Sequence, residues 1–67
     1  MSSENSGERL REWREVTGLS QTELAARLEV NQATISKWEG GNHMPRITEA
    51  IRIAQLTKGR IPVESWA

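Results

Sequence analysis

Two helix-start signals, Ser20 and Asn31, leave the segment between Ser20 and Glu39 little conformational freedom. Ser20 with Glu23 three positions on forms a capping box: the hydroxyl can take the Glu23 amide while the carboxylate returns to the Ser20 amide. Leu24, Ala25 and Leu28 then fall at helical spacing and share one face. Helix propensity pauses at Glu29, Val30 and Asn31. Asn31 is a good N-cap for a second helix through Glu39, with Ile35 and Trp38 on its inner side. Gly40-Gly41 stops it. Two short helices joined by a few residues are expected, the second turning Gln, Thr, Ser and Lys outward.

The flanking chain supplies further helices. Asn5 with Glu8 predicts a capping box for a first helix running to about Thr17, with Leu10, Trp13 and Val16 on its inner side and Gly18 at its left-handed end. Residues 1–6 are expected to form a flexible tail ahead of a single domain over residues 7–67. After the polar loop Asn42-His43-Met44-Pro45, a helix from about Arg46 to Thr57 places Ile47, Ala50, Ile51 and Ala54 on one stripe. Ile53 and Leu56 fall outside it and could widen the core contact, pack under the tail or meet a second chain. Lys58-Gly59 ends this helix, and Ile61-Pro62 opens a last short turn with Val63 and Trp66. The expected fold is all-α, a compact five-helix bundle without strands.

Composition narrows the chemistry. A chain of 67 residues removes only about 60% of its unfolded surface from water on folding, so its stability margin is small. With no Cys, neither a disulfide framework nor a thiolate zinc site is available. No apolar run approaches the roughly 20 residues of a membrane span, and Met1–Gly7 lacks the pattern of a signal peptide, so a cytoplasmic protein with no membrane partner is expected. There is no Asp, Tyr or Phe, the single His lies in a loop, and neither a phosphate cradle nor metal-ligand spacing appears. No enzyme activity, cofactor or metal is expected. The formal charge is zero, but residues 1–30 carry four Arg against six Glu and residues 31–67 five Lys or Arg against three Glu. One face can therefore be positive on a neutral molecule.

Two short helices, the second with a polar outer row, match the helix-turn-helix pattern of DNA readers. Leu10 to Arg14, Gly18 to Ala25, Leu28-Glu29-Val30, Ile35-Ser36 and Trp38-Glu39, with Gly41, Pro45 and an Ala-containing helix after them, resemble the phage repressor and Cro type, also called the XRE-like family. The likeness runs from Leu10 to about Trp66. It implies five helices, with the second and third forming the motif, and Gln21 directed at a phosphate, where the helix N-terminus also favours an anion. It implies that Arg14 and Glu39 form a partly buried ion pair tying the first helix to the third. Glu29 stands where the family often has Gly in a left-handed backbone, at a cost of very roughly 1 kcal/mol.

On this reading the third helix enters the major groove, where base edges carry distinguishable donors and acceptors. Gln32 is expected to bond an adenine edge, Ala33 to touch a thymine methyl, Lys37 to reach guanine, and Ser36 to face the bases as well. Backbone contacts are expected from Gln21, Asn31, Thr34, Asn42, His43 and Arg46. One domain this small reads only a few base pairs, which calls for a weak homodimer on a palindromic operator, tightened by the double-stranded DNA itself. Ile61, Pro62, Val63 and Trp66 are the expected dimer contacts, the alternative being that Val63 and Trp66 cap the chain's own core. The leading expectation is a Cro-like repressor. A rival is an antitoxin-like or adaptor module that uses an apolar face on a protein partner.

Overall fold

The computed structural model describes residues 6–66, and the Ser20–Glu39 segment folds there as its caps direct. In α2 (Gln21–Leu28), the Glu23 amide donates to Ser20 Oγ at 3.0 Å and the Ser20 amide to Glu23 Oε1 at 2.8 Å. The amide bond, reinforced by the hydroxyl, holds the Glu23 carboxyl below its ordinary value. In α3 (Gln32–Glu39), Asn31 Oδ1 accepts from the Thr34 amide at 2.9 Å and from its hydroxyl at 2.8 Å. α1 (Ser6–Thr17) packs against α3, and α4 (Ile47–Leu56) closes the bundle from the other side.

Four α-helices form, not five. Where the fifth was expected, the described residues form a single 3-10 turn, Val63–Trp66, directly after Pro62. No strand occurs among the described residues. Ser6, expected in the tail, is instead the first residue of α1. It is buried, and its hydroxyl donates to the Ser65 carbonyl at 2.6 Å. The expected Asn5 cap lies outside the described residues.

Leu10, Leu24, Leu28, Ile35, Trp38, Ala50, Ile53, Ile61 and Trp66 make one contiguous core. Two sequence expectations are corrected here. Val16 is 85% exposed: it lies about 240° around the helix from Leu10, past the edge of the inner face that Trp13 reaches. On α4 the core face is Ala50 and Ile53, with Thr57 beyond, while Ile47 and Ile51 are 65% and 42% exposed. Thr57 accounts for the rotation. Its hydroxyl donates to the Ile53 carbonyl at 2.7 Å and accepts the Ile61 amide at 3.2 Å, so a polar side chain is buried at little cost.

All four α-helices end in the same way. The residue after the last turn is left-handed, its amide bonds three residues back and the next amide five residues back. Gly18 and Gly41 fill this position after α1 and α3, but Glu29 (φ 61°) and Lys58 (φ 55°) fill it after α2 and α4. At both the Cβ clash of left-handed backbone is retained, at about 1 kcal/mol or more each.

Candidate nucleic-acid interface

The outer row of α3 is fixed by its inner one. Ile35 and Trp38 are buried, so Gln32, Ala33, Ser36 and Lys37 emerge on the opposite side, all exposed. The eight residues of α3 extend roughly 12 Å at 1.5 Å per residue, short enough to lie within one groove. Lys37 makes no ion pair among the described residues, so its charge is available on this face.

A relay of side chains runs beneath and beside that row. The Arg14 guanidinium grips Glu39 with two bonds, Nε to Oε2 at 2.7 Å and Nη2 to Oε1 at 3.1 Å, and its Nη1 donates to the Leu19 carbonyl at 3.0 Å. The Glu39 side chain is only 5% exposed. Bonding to Glu39 raises the Arg14 pKa, and burial offsets part of the rise. Glu39 Oε1 also accepts from Gln21 Nε2 at 3.0 Å, and Gln21 Oε1 accepts from Gln32 Nε2 at 2.5 Å. A carboxylate directly under the face is thus neutralised, and its repulsion of phosphates is cancelled. Gln32 spends one amide proton on Gln21. Its second N–H and its carbonyl oxygen remain, which is the donor–acceptor pair an adenine edge requires. Gln21 likewise keeps one N–H for a phosphate.

The remaining expected contacts divide. Asn31 is exposed but has its side-chain oxygen committed to the cap, leaving its amide N–H groups free. Thr34 is half-buried and its hydroxyl proton is spent on Asn31, so in this arrangement it offers a phosphate no donor. Asn42, His43 and Arg46 are exposed in the loop after α3. The amides of Asn42 and His43 turn back to the Lys37 carbonyl, which places this loop at the α3 C-terminus. Arg46 is the N-cap residue of α4: its amide donates to Glu49 Oε1 at 2.8 Å, and the residue is exposed.

Sequence reasoning missed two residues. Arg11 borders a cleft of about 300 Å³ with Arg14, Glu15, Gln21, Ser36, Glu39 and Gly40, beside the outer row of α3. Its i,i+4 spacing to Glu15, which it meets at 3.2 Å, explains why it looked like an ordinary surface residue. Arg52 braces the helix-turn-helix from outside, donating to the Leu28 carbonyl at 3.3 Å and pairing with Glu29 at 3.2 Å. Nothing local in the sequence signals a contact across that separation.

Of the expected dimer contacts, Ile61 and Trp66 are 1% and 8% exposed and belong to this chain's own core, while Pro62 and Val63 are half-buried beside them.

No helix among the described residues is long and apolar enough to cross a membrane. Residues 7–62 match the family model of the helix-turn-helix domain. The chain is 46% identical over 43 residues to an uncharacterized helix-turn-helix-type transcriptional regulator of Archaeoglobus fulgidus, covering 64% of this chain and 19% of that protein. It is 46% identical over 50 residues to a putative transcriptional regulatory protein of the same type from Pyrococcus furiosus, covering 75% of this chain and 16% of the relative. Its fold superposes on the restriction-modification controller protein C.AhdI from Aeromonas hydrophila with a TM-score of 0.73 at 26% identity, covering 92% of this chain and 87% of that one. The chain belongs to the helix-turn-helix domain family, of the phage repressor and Cro (XRE-like) type.

Proposed function

We propose that this chain is a sequence-specific reader of double-stranded DNA that regulates transcription, a Cro-like repressor that binds a palindromic operator as a dimer. The observation that carries the reading is the exposed row Gln32, Ala33, Ser36 and Lys37, whose first member, Gln32, is held by the Arg14–Glu39–Gln21 relay. Side chains held in advance lose less entropy on binding, and each good bidentate base contact contributes about 1–3 kcal/mol of discrimination. Arg46, Asn42, His43, Asn31 and Gln21 surround the row and supply the backbone contacts. Thr34 joins them only by releasing its bond to Asn31.

A globule of 32 × 23 × 22 Å carries one such helix and covers one half-site. Half-sites about 34–36 Å apart therefore call for two copies. A second reading, control of a restriction–modification system, is favoured by the likeness to C.AhdI, and the genes adjoining the operator distinguish the two.

Selection of bound sites from random duplexes tests the proposal. A symmetric consensus is expected, with Gln32→Ala changing the preferred base at one position per half-site and Arg46→Ala weakening all sites evenly. Absence of any enriched sequence would sink the DNA reading.

A further inference from the structure

α1 has two outward sides, and only one of them adjoins the outer row of α3. Arg11 is on that side, bordering the cleft it shares with Gln21 and Ser36. At about 100° per residue, Val16 lies about 140° around the helix from Arg11, and Arg9 about 160°. The far side has a groove of its own. Arg9, Glu12, Trp13 and Val16 line a cleft of about 350 Å³ together with Arg60 and Ile61, which follow α4.

The lining joins apolar surface to positive charge. Ile61 is buried and Trp13 is half-buried against the core, while Val16 is 85% exposed, so an apolar strip opens to solvent. The ion pairs among the described residues are Arg11–Glu15, Arg14–Glu39 and Arg52–Glu29, so neither Arg9 nor Arg60 is held by one. Glu12 is the single carboxylate in the lining. At about 100° around α1 from Trp13, it stands farther from the half-buried indole than Val16 or Arg9 does. The two cations outnumber it.

A small-molecule pocket encloses most of its ligand. Four of the six residues lining this cleft are exposed, which makes it an open groove that takes one or two side chains of a larger partner. Trp and Arg are the residue types that dominate binding energy at protein interfaces, and Arg grips carboxylates with two parallel bonds. A nucleic acid would bring phosphates but no aliphatic group for the apolar strip. We propose that this groove is a docking site for an acidic segment of a partner protein, an apolar side chain seating on Trp13 and Val16 while neighbouring carboxylates meet Arg9 and Arg60. The groove lies away from the outer row of α3, so partner and DNA can be held together. It does not depend on the DNA reading.

The test is a selection of random displayed peptides on the whole chain at physiological salt, followed by titration of the enriched peptides. Each variant is first checked for an unchanged helical spectrum. Enriched peptides are expected to set an acidic residue beside an aliphatic or aromatic one. Arg9→Gln with Arg60→Gln should weaken them about tenfold, and Val16→Asp at least as much, whereas Arg9→Lys with Arg60→Lys should stay within about threefold of wild type. Binding should persist in the presence of an enriched operator duplex. Enrichment of neutral or basic peptides, or of none, would overturn the proposal. So would acidic peptides that bind Val16→Asp as well as wild type, or that the duplex displaces, since these occupy another face. Self-association of the free chain that Val16→Asp abolishes would overturn it too, the occupant then being a second copy. A wild type that holds the peptides but no duplex supports the groove and strikes only the DNA reading.

Discussion

Glu29 shows what a single residue contributes and conceals. Its left-handed backbone was legible because the turn of a helix-turn-helix demands that conformation, whatever side chain occupies it. Its partner was not legible, since Arg52 arrives from another helix. The Glu29–Arg52 pair is half or more exposed on both sides and so contributes little. Glu29→Gly should therefore stabilise the domain by about 1 kcal/mol in chemical denaturation, relief of the Cβ clash outweighing the lost pair and the added chain entropy. Glu23 carries a pH signature. Its folded-state pKa is depressed, so its contribution is fully present above the ordinary carboxylate value near 4.5 and is lost as pH falls through the folded value. Glu23→Gln keeps a capping box but removes that titration, and thermal melts from neutral to acidic pH should show a flatter decline than wild type.

At the scale of elements, the join between α1 and α3 is the decisive contact. Removing Arg14 alone strands the Glu39 carboxylate in a nearly dry site, and Arg14→Met should cost about 3–5 kcal/mol. Replacing both partners by Met removes the stranded charge and should restore most of that stability in a denaturant titration. DNA affinity should not return with it, because Gln21 then lacks the acceptor that aims it at Gln32. The helices themselves were readable from Ser20, Asn31 and the glycines, whose signals are local. The rotation of α4 was not. Stripes through Ile47 and through Ile53 both fit helical periodicity, and the deciding residue, Thr57, is polar and counts against the correct face until its hydroxyl bonds are known. Val16 failed for a simpler reason: an apolar residue near the edge of a stripe needs a neighbouring element to cover it, and none reaches it.

Across the whole molecule, zero net charge sets the style of binding. Few cations stand unpaired near α3, chiefly Lys37 and Arg46, so the proposed dimer would neutralise about four phosphates and the slope of log affinity against log salt should be roughly −3 to −4. Titration of operator binding between low and physiological salt measures it; a much steeper slope would mean that many more cations approach the backbone. The class of fold was visible from a few caps and an apolar rhythm. How the C-terminal residues would be spent was not, because Ile61 and Trp66 suit an intermolecular contact as well as a core, and only packing decides. The bond between Ser6 and the Ser65 carbonyl also brings the beginning and end of the fold side by side. Stitching them together with a few flexible residues would turn the domain into a ring without bending any helix. By the chain-entropy relation, such a closure disfavours the denatured ensemble by up to about 4 kcal/mol. A domain this small could thus be made far more durable at a point well removed from the residues expected to meet bases.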